Sequence, residues 1–299
     1  MLLKNGALLD STPIEMPASI LSMQKRALKS EDFKRFSQVQ MYEITYMSEG
    51  LKIKGFMALP AAEESHLPCL IFNRGGAGKR GALTVEGAFA YAGLYASWGY
   101  VVLASQYRGQ GGSEGKEEWG AGDIDDAMNL LPLIADLQYV DQNRIGIVAG
   151  SRGGMMAFQM LTRTDIFKAA VTVGAPTMFT SLRSEEHIFK RMAEFLKTGA
   201  DLKKEAEKRS VTAWADKLCK TTPLLILHGT GDRRVTPEHG LNLGLALQKI
   251  HHPYKLVMFE NADHILSGRR KEGDVEIRTW VDAYVKNLAP LPKTGPHGA

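Results

Sequence analysis

Cysteine is scarce in this sequence: only Cys69 and Cys219 occur among its 299 residues. Two cysteines so far apart make no disulfide framework, and this scarcity favours a reducing compartment. Cys69 lies inside the apolar run LPCLIF, so we expect a small core residue and not a reactive thiol. The sequence therefore predicts a cytoplasmic protein that is stabilised by its apolar core.

Long apolar runs and charge of one sign are also lacking. No apolar stretch approaches the ~18 residues that a membrane span needs, and the first residues have no signal-peptide core. The formal net charge is only +4, and the longest basic run is Arg269-Arg270-Lys271. Basic residues scattered among acidic ones are typical of a solvated surface. We therefore expect neither a membrane nor a nucleic acid as partner.

Residue patterns that hold metals or phosphates are lacking as well. No set of His, Cys, Asp and Glu has the spacing of metal ligands. The glycine-rich stretch AGSRGGM has no lysine of the kind that completes a phosphate-binding loop. The sequence therefore predicts a protein with no metal and no cofactor.

Short apolar runs alternate with helical patterns along most of the chain. After a predicted hairpin that turns at Glu49-Gly50, the runs LPCLIFN, RIGIVAG and PLLILHG are each followed by a helical pattern. Apolar strands that are separated by helices are typical of a parallel sheet that helices cover on both faces. The sequence therefore predicts an α/β fold with a mostly parallel central sheet.

The segments outside this alternation define the predicted domain organisation. Residues 1–40 are expected to form an amino-terminal helical arm, because 18–38 combine mixed charge with a helical pattern. Residues 41–290 would form the α/β domain, with a helical insertion at about 177–220 in a position typical of a lid. Residues 291–299 contain the letters LPKTG and are expected to form a flexible tail.

Polar side chains follow three predicted strands at the points where these strands end. Ser151 follows RIGIVAG, Asp232 follows PLLILHG, and His264 follows YKLVMFE. The carboxyl ends of parallel strands meet at one edge of a sheet, where such folds bind their ligands. Serine, aspartate and histidine occur in this order in the α/β-hydrolase triad. The sequence therefore predicts an α/β-hydrolase fold in which Ser151 is the nucleophile, Asp232 the orienting acid and His264 the base.

Two details of this assignment need to be weighed. The nucleophile-elbow pattern G-x-S-x-G has Ala149 at its first position, but one added methyl is a small change where strand and helix cross closely. Asp263 is a rival acid, although its position directly beside His264 is a poor one for reaching that ring. His228, in LHGTGD, is expected to be a structural residue at a strand end. We keep Ser151 and Asp232 as the assignments.

Backbone donors for a developing oxyanion are expected at two places. One is the N–H of Arg152, directly after the nucleophile, and the other is Gly76 in the loop Arg74-Gly75-Gly76. Glycine suits such a loop because the backbone must approach the substrate closely. The side chains of Arg74 and Arg152 are expected to be structural and not anion-binding.

One apolar helical face lies within the predicted insertion. Three residues repeat there at helical spacing: Ile188, Met192 and Phe195. Such a face either lines a substrate pocket or packs on the domain, and the sequence favours neither interpretation. We name these residues as candidate pocket residues.

These motifs together resemble the prolyl oligopeptidase family of α/β-hydrolases, over roughly residues 42–288. TYMSEGLKIKGFMALP is similar to the entry hairpin of that family, SQYRGQGGSEG to its Tyr-Arg-Gly loop, and RIGIVAGSRGGMMA to its elbow. TPLLILHGTGDRRV and ADHIL are similar to its acid and histidine segments. The resemblance implies that Ser151, Asp232 and His264 form the triad. Arg74-Gly75-Gly76 departs from the His-Gly-Gly of many members.

The resemblance implies a serine hydrolase that cleaves small peptide amides or carboxylic esters through an acyl-enzyme. Large members carry a β-propeller ahead of the hydrolase domain, whereas about 40 residues precede the hairpin here. We therefore expect a small ester or a short peptide as substrate. The alternatives are a carboxylesterase without peptidase activity and a non-catalytic binding protein of the same fold. Assembly into a homo-oligomer is compatible with the sequence.

Overall fold

Strands and helices alternate along the chain as the apolar pattern predicts, and they belong to two compact units. The computed structural model describes residues 3–61, 65–78, 81–180, 187–196 and 199–293. The first unit contains the chain up to residue 117 together with 122–145. The second contains 118–121 together with the chain from residue 146 onward. The boundary that we predicted near residue 41 falls inside the first unit.

The strands of the described ranges are β1 (Leu8–Ile14), β2 (Gln40–Ser48), β3 (Leu51–Leu59), β4 (Leu67–Asn73), β5 (Val101–Ser105), β6 (Val140–Gly150), β7 (Phe167–Val173), β8 (Leu224–Gly229) and β9 (Tyr254–Phe259). The α-helices are α1 (Ala18–Ala27), α2 (Ser30–Ser37), α3 (Val85–Ala88), α4 (Leu94–Ala96), α5 (Gly122–Met128), α6 (Leu130–Asp136), α7 (Arg152–Met160), α8 (His187–Phe195), α9 (Leu202–Arg209), α10 (Glu238–Lys249) and α11 (Arg270–Val281). Shorter helical turns are Phe89–Gly93, Val211–Ala213, Ala215–Lys217 and Asp282–Lys286.

The first unit contains strands in the order β1-β2-β3-β5-β4. β2 and β3 form the predicted hairpin, and its turn residues Glu49 and Gly50 have φ angles of 48° and 78°, as a type I′ turn requires. β3 pairs antiparallel with β5, whereas β4 and β5 are parallel. Every residue of β4 is buried, because a parallel strand is covered on both faces. Cys69 is therefore the core residue that the sequence predicts.

The amino-terminal region differs from the predicted helical arm. The helical pattern of residues 18–38 forms α1 and α2, which an extended residue at Leu28 separates. Ahead of them, β1 pairs antiparallel with β2, although six of its seven residues are exposed. The segment LLDSTPI has no apolar alternation, so its strand conformation depends on main-chain hydrogen bonds to β2. The prediction of a purely helical arm is therefore wrong for residues 8–14.

The second unit contains the carboxyl end of β6 and the parallel strands β7, β8 and β9. Every residue of β8 is buried. The predicted insertion at 177–220 is helical in its described ranges, where it contains α8, α9 and two short turns. Residues 181–186, 197–198 and 294–299, which include part of the predicted insertion and tail, lie outside the described residues. Within the described ranges, no helix is both long enough and apolar enough to cross a membrane.

Candidate active site

Ser151 occupies a sharp turn between β6 and α7. Its backbone has a φ of 51° and a ψ of −124°, a region that residues with a Cβ rarely adopt. The Ser151 amide donates to the Val173 carbonyl at 2.8 Å, and the Ser151 carbonyl accepts from the Gly154 amide at 2.8 Å. Such a conformation costs on the order of 1–3 kcal/mol and persists only where its surroundings hold it. This is the strained strand-to-helix turn expected of an elbow nucleophile.

The departure at Ala149 is accommodated because the crowding lies elsewhere in the turn. Ala149 is a buried residue of β6. A Cβ added at Gly150 would meet no heavy atom within 4 Å beyond its chain neighbours. At Gly154, in contrast, an added Cβ would lie 2.5 Å from the Cβ of Ala175. The close crossing of strand and helix therefore requires glycine at position 154, and alanine fits at position 149.

The three predicted triad residues form one chain of hydrogen bonds. Nδ1 of His264 lies 2.7 Å from Oδ2 of Asp232, and Nε2 of His264 lies 2.9 Å from Oγ of Ser151. A carboxylate can only accept, so Nδ1 carries the proton of the neutral ring. Nε2 is then a free acceptor for the serine hydroxyl proton. The arrangement can therefore deprotonate Ser151 and hold the resulting imidazolium against a carboxylate.

The Asp232 carboxylate is almost fully buried, with 3% of the residue exposed. Its Oδ1 accepts the backbone amides of Arg234 at 2.8 Å and Val235 at 3.0 Å. Burial alone would raise the pKa of Asp232, but hydrogen bonds from His228, His264 and the Val235 amide hold this pKa well below its usual range. The acid beside His264 is therefore an ionised carboxylate.

The side chain of the rival acid, Asp263, forms hydrogen bonds within its own loop. Its Oδ1 accepts the amides of Ile265 at 3.1 Å and Ser267 at 2.9 Å. These hydrogen bonds, first of all those from Ser267, lower the pKa of the exposed Asp263 carboxyl. Asp263 therefore stabilises the turn that follows His264, and Asp232 is the carboxylate that the ring contacts.

Gly174, directly after β7, is a residue of the site that the sequence did not single out. It has a φ of 57°, and an added Cβ would lie 3.0 Å from the carbonyl oxygen of His264 and 3.1 Å from its Nδ1. Glycine here lets the histidine loop approach the strand end closely. A glycine that follows an apolar strand is the one sequence signal that could have pointed to it.

The main-chain amide of Arg152 is the first of α7. The first N–H groups of an α-helix have no partner within the helix, and the helix dipole makes this end positive. The Arg152 side chain is buried, with 1% of the residue exposed. The oxyanion role of the Arg152 backbone amide stays a prediction.

Gly76 lies in the first unit, in the loop that follows β4, and has a φ of 77°. The neighbouring Arg74 is buried, and its guanidinium donates to the carbonyl oxygens of Gly75, Gly81 and Gln106. The same guanidinium lies 4.6 Å from the ring centroid of Tyr107. Arg74 therefore holds this loop, in agreement with the structural role predicted for it. The oxyanion role of Gly76 stays a prediction.

The candidate pocket residues lie on α8 and differ in exposure. Ile188 and Met192 are buried, whereas Phe195 is half-buried and lies 5.2 Å from the Arg191 guanidinium. Buried apolar side chains fit packing on the domain as well as a pocket wall. Their role in a pocket stays a prediction. In the described part of the chain, no group of three His, Cys, Asp or Glu side chains is placed to hold a metal ion.

The sequence profile of the prolyl oligopeptidase family matches residues 88–288, more than half of the chain. The chain belongs to the prolyl oligopeptidase family. A second profile, that of the acetyl xylan esterases, matches residues 18–125, a range that ends ahead of Ser151. The resemblance drawn from the motifs is thereby confirmed.

Two curated relatives of this family are peptidases by name. The chain is 29% identical over 231 residues to the uncharacterized peptidase YtmA of Bacillus subtilis (strain 168), and the match covers 76% of this chain and 86% of that protein. It is 32% identical over 239 residues to the uncharacterized peptidase YuxL of the same strain, with 75% of this chain and 35% of that protein covered. The chain thus spans most of YtmA but about a third of YuxL.

Two solved structures of peptidases share the fold. The Pyrococcus horikoshii acylaminoacyl peptidase superposes with a TM-score of 0.70 at 21% identity, over 89% of this chain and 44% of that one. A Mycobacterium tuberculosis puromycin-hydrolyzing peptidase gives 0.68 at 23% identity, over 81% of this chain and 39% of that one. The predicted α/β-hydrolase fold with a mostly parallel central sheet is confirmed. The chain spans less than half of either neighbour.

We expect Gly174→Ala to lower kcat by about tenfold or more, because a shift of ~1 Å in a catalytic group can cost about 100-fold. The added methyl would press on His264 and move its ring away from Ser151. Gly50→Ala is the matched control: its φ is 78°, and its added Cβ would meet nothing within 4 Å. Both variants should lose about 1–2 kcal/mol of unfolding free energy in urea. Equal kcat values in the two would show that Gly174 does not seat His264.

We expect Asp232→Asn to lower kcat by about 10⁴-fold, since an amide favours the wrong tautomer of the histidine. Asp263→Asn should keep most of the activity, because an asparagine oxygen can still accept the amides of Ile265 and Ser267. The kcat for ester hydrolysis, measured for each purified variant, tests both expectations. The reverse result, with Asp263→Asn inactive and Asp232→Asn active, would reassign the acid.

The depressed pKa of Asp232 also sets an expected pH dependence. Its ionised form stabilises the fold above ~pH 4, the unfolded pKa, and this contribution is lost only as the pH falls through the lower folded-state value. The free energy of unfolding, measured in urea at several pH values, should therefore fall below ~pH 4 more steeply in the wild type than in Asp232→Asn.

Proposed function

We propose that this chain is a serine hydrolase that transfers the acyl group of small carboxylic esters or short peptide amides to water. The observation that carries the proposal is the hydrogen-bonded chain from Asp232 through His264 to Ser151, at 2.7 and 2.9 Å. Membership of the prolyl oligopeptidase family supports it, as do relatives that are named peptidases.

Acylation begins when Ser151 Oγ attacks the substrate carbonyl carbon while its proton moves to Nε2 of His264. Asp232 stabilises the imidazolium that forms. The carbonyl oxygen becomes an oxyanion and accepts a hydrogen bond from the Arg152 amide, and the Gly76 amide is proposed as the second donor. His264 then gives its proton to the departing alcohol or amine. The acyl group is left as an ester on Ser151.

Deacylation repeats these steps with water as the nucleophile. Water gives a proton to Nε2 of His264 as its oxygen attacks the acyl carbon. When the tetrahedral intermediate collapses, the imidazolium returns that proton to Ser151 Oγ, and the carboxylic acid leaves. The Ser151 hydroxyl and the neutral His264 ring are regenerated, and one water molecule is consumed for each bond that is cleaved.

A carboxylesterase without peptidase activity is the second candidate. The observation that favours it is the match of residues 18–125 to the acetyl xylan esterases. That range ends before the nucleophile and contains none of Ser151, Asp232 and His264. The same triad serves both reactions, since esters and amides differ in the leaving group that His264 must protonate.

The helical insertion is the proposed limit on substrate size. Its described part presents Phe195 half-buried at the end of α8, where an apolar ring favours apolar acyl or side-chain groups. We also propose that the protein works in the reducing cytoplasm, as its two free cysteines suggest. Assembly into a homo-oligomer remains part of the same proposal.

We expect Ser151→Ala to lose about 10⁴-fold or more of its turnover while it stays folded, as triad knockouts do. A fluorophosphonate probe should label the wild type and leave this variant unlabelled, because only an activated serine reacts. Ser267→Ala, which alters an exposed serine in the histidine loop, is the control and should label normally. An unlabelled, inactive wild type would favour the non-catalytic binding protein.

We expect short-chain p-nitrophenyl esters to be cleaved faster than aminoacyl p-nitroanilides, since p-nitrophenolate is a better leaving group than p-nitroaniline. Casein should not be cleaved. Phe195→Ala should shift the preferred acyl length gradually, because a methylene in an apolar pocket is worth only ~1–3 kcal/mol. Leu245→Ala, at an exposed leucine of α10, is the control. Esters cleaved without any anilide cleavage would select the carboxylesterase, and efficient casein cleavage would contradict the size limit.

A further inference from the structure

A second histidine, His228, lies close to the Asp232 carboxylate. His228 precedes the last residue of β8, and its ring is fully buried. Its Nε2 lies 2.9 Å from the carbonyl oxygen of Val235 and 3.4 Å from Oδ2 of Asp232. Oδ2 is the same oxygen that receives Nδ1 of His264. One carboxylate oxygen of Asp232 is thus shared by two imidazoles.

The position of the proton on His228 follows from its neighbours. A carbonyl oxygen and a carboxylate oxygen can only accept, so Nε2 must be the nitrogen that carries hydrogen. Nδ1 is the bare nitrogen of the neutral ring, and within the described residues it has no hydrogen-bond partner. The ring is held from this side by α10, since a Cβ added at Gly240 would lie 3.1 Å from Nδ1. His228 therefore presents a single fixed donor to the acid loop.

The loop between β8 and Val235 is closed around the carboxylate. His228 Nε2 holds the Val235 carbonyl, and the Val235 amide in turn donates to Oδ1 of Asp232. Oδ2 of Asp232 lies between the two rings of His228 and His264. Rotation of this carboxylate would break contacts on both of its oxygens. The loop can move only if His228 moves with it.

We propose that His228 is a positioning residue of the reaction, whose Nε2–H keeps Asp232 turned toward His264. The inference rests on the proposed function, because it assigns His228 a task only if the triad is catalytic. It extends the structural role predicted from the sequence: the strand-end histidine supports the acid loop and thereby fixes the tautomer of His264. His228 acts through Asp232 and does not touch the substrate.

The test compares two substitutions at position 228. His228→Gln keeps an amide nitrogen about as far from Cα as Nε2, whereas His228→Phe keeps a planar ring without a donor. We expect His228→Phe to lower kcat about 10- to 100-fold, the scale of a hydrogen bond to a charged group. KM should stay within about twofold, since ground-state binding is untouched. His228→Gln should recover most of kcat.

His252, which lies between α10 and β9, supplies a matched control. Its Nε2 also donates to a carbonyl oxygen, that of Thr222 at 3.0 Å, and its Nδ1 also lacks a partner among the described residues. Thr222 lies just before β8, at the end opposite to Asp232. His252→Phe should therefore cost similar stability in urea unfolding while kcat stays at the wild-type value. Equal kcat losses in His228→Phe and His252→Phe would overturn the proposal.

A double-mutant cycle separates positioning from general destabilisation. In the Asp232→Asn background, His228→Phe should cause almost no further loss in kcat or in the rate of fluorophosphonate labelling, because the two residues act as one unit. Losses that multiply would overturn the proposal. If His228→Phe does not fold, His228→Asn, whose amide falls short of the Nε2 position, takes its place against His228→Gln. Failure of the proposed function would give a different result, because the fluorophosphonate probe would then not label Ser151 even in the wild type.

Discussion

The hydrogen bond between Nδ1 of His264 and Oδ2 of Asp232 is the interaction on which the site depends. A neutral imidazole has one N–H, so a proton held on Nδ1 makes Nε2 the acceptor for Ser151. With the other tautomer, the serine hydroxyl would face a donor and could not be deprotonated. Burial of the carboxylate strengthens the bond, but burial also disfavours the charge that the bond requires. The donors around Asp232 resolve that conflict by keeping it ionised.

The fold meets this requirement by bringing strained and crowded segments together at strand ends. Ser151 has a positive φ that the packing of β6 and α7 must hold. Gly154 permits the strand and helix to cross, and Gly174 permits the histidine loop to approach the end of β7. Small residues at these positions let Ser151 and Asp232 both lie within hydrogen-bond distance of His264. The strain at these positions costs stability, and fully buried strands such as β8 offset this cost.

The proximity of the three residues of the proposed triad could be predicted from the sequence because each of them follows an apolar strand, and parallel strands end at one edge. Gly174 and His228 could not be assigned roles in the same way, since their partners are distant in sequence or depend on how a loop closes. β1 was missed for a related reason: its residues are exposed, and only pairing with β2 defines it. The local sequence pattern therefore indicates the candidate catalytic residues, whereas contacts between segments distant in sequence determine which residues support them.

The same support bears on the choice between esters and amides. An alkoxide can leave with little help, whereas an amine must receive a proton as its bond to the acyl carbon breaks. His264 must therefore keep its orientation as an imidazolium, after it has taken the proton of Ser151 and before it gives that proton away. During this interval the ring is charged and Asp232 is its counter-ion, so a carboxylate fixed on both oxygens favours proton delivery to the leaving group. Under the proposed mechanism, an Asp232 carboxylate held in this way, with Nε2 of His228 3.4 Å from its Oδ2, would support the cleavage of amides as well as of esters.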